Sequence, residues 1–388
     1  MPATPINIEQ AVKARYSRAA AAKEAALCCP VDYDNRYLKI IPQEILERDY
    51  GCGDPSKVLR PGERVLDLGS GGGKICYISS QIVGAMGKVI GVDINDEMLS
   101  LANRYREEIG NRLGYHNVTF HKGKIQDLAL DYGKVERYLA EHPVQTLEGL
   151  EAFEAWKEEQ RRSNPMIQTA SVDVVLSNCV LNLVRPEDKT ALFREMHRVL
   201  KRGGRAVISD IVSDEDVPAH LQVDPELWSG CISGAFREDL FFKTFEEASF
   251  YGIRVLKRDE KPWQTIEGIE FRAVTVEAYK GKEGPCLERY QAVIYKGPWR
   301  SVTDDDGHTL YRGQRMAVCD KTFHIYKAEP YRKDIELIEP YEEVPLAEAQ
   351  PFDCGRDEVR HSRETKGIEY NVTQTTDAPY CAPDGNCC

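Results

Sequence analysis

The stretch Arg64-Val65-Leu66-Asp67-Leu68-Gly69-Ser70-Gly71-Gly72-Gly73 decides the fold. A short apolar run ends in an acid and a cluster of glycines, which reads as a strand passing into a tight turn. A helix from about Lys74 to Val83 follows. Outward from this unit the alternation repeats. Lys88 to Asp93 predicts a second strand, followed by a helix from about Asp96 to Ile109. Val118 to Lys122 predicts a third strand and Val172 to Ser177 a fourth. The helix Pro186 to Leu200 leads through Lys201-Arg202-Gly203-Gly204 into a fifth, Arg205 to Asp210. Strands separated by helices predict parallel βαβ units with helices on both faces, an α/β fold with a Rossmann-like core.

The rest of the chain is organised around that core. Residues 1–60 read as a helical N-terminal segment, and residues 61–254 as the core domain. A charged insertion at 131–168 carries an amphipathic helix candidate, Leu147 to Glu159, in either a functional lid or a solvated helical hairpin. Past residue 254 the alternation ends. Ile269 to Lys280 and Tyr290 to Lys296 read as antiparallel strands, and Met316 to Tyr326 as another. These assign 255–340 to a smaller α+β domain. Residues 341–388 are acidic and weakly patterned, which predicts a mobile cysteine-containing tail.

Composition excludes several classes of partner. The chain has 388 residues, long enough for two domains, and 51 basic against 63 acidic residues give a net charge of −12. So acidic a chain is a poor binder of phosphate backbones, so no nucleic-acid partner is expected. Mean hydropathy is −0.47, and no run approaches the ~20 apolar residues of a membrane span. No basic start followed by an apolar run opens the sequence, so a cytoplasmic protein is expected.

The glycine loop specifies a class of ligand. Asp67 precedes the glycines, and Asp93, next to Ile94, closes the second strand. An acid at the second strand end suits two ribose hydroxyls. Asp67 before the loop repels a diphosphate and suits a zwitterionic amino acid, which favours S-adenosylmethionine over a nicotinamide dinucleotide. Gly69, Ser70, Gly71 and Gly73 form the cradle. Ile125 is placed to pack on the adenine ring, Gln126 or Asp127 to reach its amino group, and Asn178 to stand near the methyl.

Twelve cysteines need an account. Their density is below that of disulfide scaffolds, and no pair of zinc knuckles is present. Cys76 opens the first helix, Cys179 ends the fourth strand and Cys231 follows the fifth, so the fold brings three thiols toward the cofactor end of the sheet. Three thiolates make a soft site for a metal or a trivalent metalloid, and a helix start favours the Cys76 thiolate. Cys52 reads as structural, and Cys286, Cys319 and Cys354 as packing or surface thiols.

Tyr50-Gly51-Cys52-Gly53, Val65 to Tyr77, Val174 to Leu183 with its Ser-Asn-Cys-Val-x-Asn-Leu core, and Leu227-Trp228-Ser229-Gly230-Cys231 resemble arsenite methyltransferases. Gln291 to Tyr295 and the Cys-rich end (Cys381, Cys387, Cys388) resemble that family's C-terminal part. The resemblance implies that a monomer binds arsenite or methylarsenite as As(III) on the thiolates of Cys76, Cys179 and Cys231. The arsenic lone pair then attacks the methyl of S-adenosylmethionine, in arsenic detoxification. It also implies that Cys28 or Cys29 returns electrons through a disulfide, most naturally with Cys76, reset by thioredoxin or glutathione. At Lys74-Ile75 the chain departs from the family, which usually has Arg-Asp there. Two other readings compete: a methyltransferase of a different small soft or carbon substrate, and a thiophilic-ion binder without turnover.

Overall fold

The computed structural model describes residues 8–21, 24, 31–355 and 357–371. They fall into two units divided between Gly281 and Lys282. Cys28, Cys29, Cys381, Cys387 and Cys388 lie outside the described residues. Among the described residues no helix is long and apolar enough to cross a membrane.

The first unit is built on a sheet of nine described strands. They are β1 (Arg64–Leu68), β2 (Lys88–Asp93), β3 (Val118–Lys122), β4 (Val172–Asn178), β5 (Leu200–Ser213), β6 (Phe236–Arg237), β7 (Tyr251–Arg258), β8 (Gln264–Ile266) and β9 (Ile269–Tyr279). The path through the sheet is β3-β2-β1-β4-β5-β9-β7. The first five strands pair in parallel. β9 pairs antiparallel with β5 and with β7. The strand order reverses direction between β1 and β4, and ligands of open α/β sheets collect beyond that point. Apolar side chains on both faces form two clusters, one around Leu66, Val175 and Phe193, the other around Val65, Ile78 and Val207.

The domain boundary expected at residue 254 is corrected. β7, β8 and β9 belong to the core sheet, and β9 is buried along nearly its whole length. A break in the βα alternation marked a change from parallel to antiparallel pairing, not the end of the sheet. The N-terminal helix (Ile8–Ala21) is likewise part of this unit. The insertion forms two helices, Tyr132–Glu141 and Leu147–Ser163, joined by a stack of Tyr138 on Trp156 with ring centroids 4.3 Å apart.

The second unit is α+β. Its strands are β10 (Leu287–Glu288), β11 (Ala292–Tyr295), β12 (Ser301–Thr303), β13 (Thr309–Tyr311), β14 (Arg315–Ala317), β15 (Ile335–Ile338) and β16 (Gln350–Pro351). β11 lies between β14 and β15, β10 pairs with β16, and β12 with β13. The strand expected over Met316 to Tyr326 stops at Ala317, because Cys319 caps a helix, Asp320–Lys327. The tail expected from residue 341 is also corrected as far as residue 371. Arg360 is 3% exposed. Its guanidinium bonds both carboxylate oxygens of Glu288, at 2.7 and 2.9 Å, and the Gln291 carbonyl at 3.0 Å.

Candidate functional site

The glycine loop forms the floor of a cleft at the carboxyl ends of β1, β2, β3 and β4. The Gly69 and Ser70 amides donate to the Val92 carbonyl at 2.8 and 3.1 Å, which sews the loop to β2. Gly69, Gly71 and Gly73 have φ of 68°, 49° and 88°, a region only glycine enters cheaply. A Cβ on Gly69 would meet Val180 at 2.5 Å, and one on Gly71 would project into open space.

Two acids stand in this cleft. Asp93 accepts from the Gly71 amide and the Asn95 amide, both at 2.8 Å, yet burial holds its carboxyl above the usual range. Asp67 is 2% exposed, and burial, opposed by a hydrogen bond from Cys76, pushes it up to about 7. Both acids are stabilised in their charged forms by a ligand that brings positive charge or hydroxyl donors. Ile94, Ile125 and Gln126 line the flank of the cleft. Asp127, considered as an alternative to Gln126, is held instead by Arg161, with Nε at 3.1 Å and Nη2 at 2.9 Å.

The N-terminal helix covers the cleft. Glu9, Val12, Lys13 and Tyr16 line it, at the i, i+3, i+4, i+7 spacing of one helix face. Asn95 Nδ2 donates to Ser17 Oγ at 3.0 Å, and Tyr50 Oη to the Ala19 carbonyl at 3.0 Å. Arg15, 7% exposed, donates to the Glu226 carbonyl at 2.8 Å and Ser229 Oγ at 2.9 Å. That ties the helix to the turn carrying Cys231. Burial, together with Cys231 and Cys179 nearby, raises the Tyr16 phenol well above its ordinary range. These helix residues were missed in the sequence, although their one-face spacing was visible.

Beside the cleft lies an apolar cluster that holds three cysteines. Cys52, Cys179 and Cys231 share one buried cluster with Ile211, Ile232 and Phe271. Asn178 sets the position of Cys52. Its Oδ1 accepts from the Cys52 and Gly53 amides at 3.0 and 3.1 Å, and its Nδ2 donates to the Gly53 carbonyl at 2.8 Å. A Cβ on Gly51 would fall inside that amide. Asn178 thus lines the cleft, but its side chain is occupied in holding the Gly-Cys-Gly turn. Asn182 joins the other two loops, donating to the Ile211 carbonyl at 2.6 Å and the Cys231 carbonyl at 3.2 Å. Cys231 Sγ donates to the Cys179 carbonyl at 3.2 Å.

Cys179 and Cys231 both have positive φ, 61° and 64°. For a residue with a Cβ this costs about 1–2 kcal/mol. Such strain clusters at functional sites, where the surroundings fix a geometry the residue would not choose.

Cys76 does not join them. It is fully buried in the other cluster, among Ile75, Tyr77 and Ile78, and its thiol donates to Asp67 Oδ2 at 3.2 Å. Burial and the neighbouring Asp67 raise its pKa well above the cysteine range. The thiolate expected from its place at a helix start is therefore disfavoured, because desolvation and an adjacent acid outweigh the helix dipole. Lys74, where the family pattern has Arg, pairs with Asp49 at 2.8 Å and lies 3.6 Å from the centre of the Tyr33 ring.

Similarity to known proteins follows the two units. A methyltransferase domain model matches residues 59–139 and 150–266, and a domain of unknown function (DUF8838) matches 282–370. An arsenite methyltransferase of Aquipseudomonas alcaligenes is 30% identical over 81% of this chain and 85% of its own. The arsenite methyltransferase of Mus musculus is 28% identical over 92% and 87%. The crystal structure of CrArsM, an arsenic(III) S-adenosylmethionine methyltransferase from Chlamydomonas reinhardtii, is 25% identical. It covers 84% of this chain and all of its own, with a TM-score of 0.55.

Proposed function

The chain belongs to the arsenite methyltransferase family and is an S-adenosylmethionine-dependent methyltransferase, and from that premise we propose that it methylates trivalent arsenic held by Cys52, Cys179 and Cys231. The observation that carries this reading is that those three cysteines share one buried cluster, in which Cys179 lines the cofactor cleft and Cys52 is pinned by Asn178, which lines it too. Cys52 takes the place given earlier to Cys76.

The cofactor fits the residues present. Asp93 would take its ribose hydroxyls, Asp67 beside the open backbone of the Gly69–Gly72 loop its amino-acid end, and Ile125 and Gln126 its adenine. When bound it supplies a methyl group on a sulfonium. The chain's own part is to hold arsenic by three soft ligands and to leave its lone pair directed at the cleft. Arsenic has no proton to lose, so the transfer needs no general base. Cys52, Cys179 and Cys231 are 2%, 6% and 4% exposed, which supports exclusion of bulk water from the site.

Each transfer takes arsenic from the trivalent to the pentavalent state, so two electrons must be returned. Cys28 or Cys29 would supply them by forming a disulfide with Cys52, reset by thioredoxin or glutathione. Cys76, whose thiol is turned to Asp67 among the side chains of the other cluster, is unsuited to that exchange. Arsenite and methylarsenite are then successive substrates, and the cellular role is detoxification in the cytoplasm.

The test is to incubate the purified chain with S-adenosylmethionine, a thiol reductant and arsenite. Methylarsenicals are expected. Their absence while the cofactor binds normally would sink the proposal. In Cys179→Ser, arsenite methylation should collapse while cofactor affinity stays near wild type.

A further inference from the structure

We propose that the second unit carries its own thiophilic site, in which Cys286, Cys319 and Cys354 together bind one trivalent arsenic as a tris-thiolate. The choice of ion rests on the proposed function, and the geometry does not. These cysteines are distant in sequence and carry no metal-site spacing. The fold brings them together. β10 pairs antiparallel with β16, setting Leu287 opposite Pro351 and Glu288 opposite Gln350. The ladder extends by the Phe352 amide donating to the Cys286 carbonyl at 2.9 Å, which carries Cys354 to the side of Cys286. Cys319 caps the helix Asp320–Lys327, its Sγ accepting from the Thr322 amide at 3.4 Å. Arg289 binds Asp320 at 2.8 Å and so fixes that helix start to the end of β10.

The result is three sulfur atoms within 4.8 Å of one another, one buried and two half-buried. Among the described residues no histidine, aspartate or glutamate joins this group, and it alone has its sulfur atoms already this close; Cys52, Cys179 and Cys231 share a buried cluster with their sulfur atoms farther apart. The donor count selects the ion. A structural zinc site takes four protein ligands. Trivalent arsenic takes three thiolates and keeps its lone pair in the fourth direction, and its preference is for soft sulfur. Binding balances without redox change: arsenous acid exchanges three As–O bonds for three As–S bonds, and the three thiol protons leave with oxygen as three waters.

The experiment uses the full chain carrying Cys179→Ser and Cys231→Ser, so that the proposed catalytic site is disabled. After arsenite is added and excess removed, arsenic per chain is counted by mass spectrometry and its neighbours by X-ray absorption. About one arsenic per chain with three sulfur neighbours is expected. Adding Cys286→Ser and Cys354→Ser, both at half-buried positions, should remove it while thermal unfolding stays unchanged. No arsenic retained by the first protein would overturn the proposal. So would arsenic retained undiminished by the second, or zinc carried by the chain as purified and lost in Cys319→Ser. If wild type makes no methylarsenicals but the first protein holds arsenic on these cysteines, the catalytic reading falls and this site stands.

Discussion

At Cys179 and Cys231 the backbone is held where a side chain is unwelcome, and each thiol is placed by that constraint. The consequence is measurable. Cys179→Gly and Cys231→Gly should each be about 1 kcal/mol more stable than the matching Ala variants, because only Ala retains the Cβ penalty. Urea unfolding checks this, and equal stabilities would mean the backbone there is unstrained. Asp67 gives a second prediction. Its folded-state pKa of about 7 lies above the unfolded value, which is about 3.9. Between those values the folded chain holds the extra proton, so this group lowers stability as pH rises through the window. A cationic cofactor reverses the preference. Binding of S-adenosylmethionine about one pH unit below Asp67's pKa should therefore release close to one proton, and well above it almost none. Calorimetry in buffers of different ionisation heat reads that number. Much of the residue scale was legible: Asp67, Gly69, Ser70, Gly71 and Asp93 line the cleft, while Gly73 packs behind it against Phe120 and Tyr77. Cys76 attracts attention because it adjoins the loop in sequence. In the helix its thiol turns back to Asp67 beneath the loop. Cys52 was obscured because its place depends on Asn178, which lies far along the chain. The signal available was the pair of glycines around it, which permits close approach of another side chain.

Among the elements, the N-terminal helix is the one whose role the sequence concealed. Composition predicted a helical N-terminal segment over residues 1–60, but nothing said what it covers. The stripe Glu9, Val12, Lys13 and Tyr16 faces the cleft only because Arg15 and Asn95 anchor the helix from two sides. Arg15 makes two hydrogen bonds to the turn before Cys231 from a nearly buried position. Hydrogen bonds from a charged group contribute about 1.5–3 kcal/mol. Arg15→Ala should thus weaken S-adenosylmethionine binding by about tenfold, roughly 1.4 kcal/mol, with the sheet intact. Fluorescence titration of the cofactor tests this. Unchanged affinity would show that the helix does not depend on that anchor.

For the whole molecule, the sequence made the parallel half of the sheet plain and lost the antiparallel half. Parallel strands alternate with helices and so announce themselves, whereas β9 reads like any strand of a separate α+β domain. Its pairing with β5 along nine residue pairs, from Arg205 with Tyr279 to Ser213 with Phe271, is a long-range fact. A fragment ending at Gly281 should fold cooperatively and bind S-adenosylmethionine, while one ending at Arg254 should do neither. Thermal unfolding of the two fragments decides this, and a cooperative transition in the shorter one would contradict the sheet described here. The central claim is that arsenic is methylated on Cys52, Cys179 and Cys231 and not on Cys76. It is tested most directly by methylarsenical formation in Cys52→Ser and Cys76→Ser measured side by side at saturating cofactor. The account predicts that Cys52→Ser loses arsenite methylation and Cys76→Ser, once folded, keeps it; loss in Cys76→Ser with retention in Cys52→Ser would contradict it.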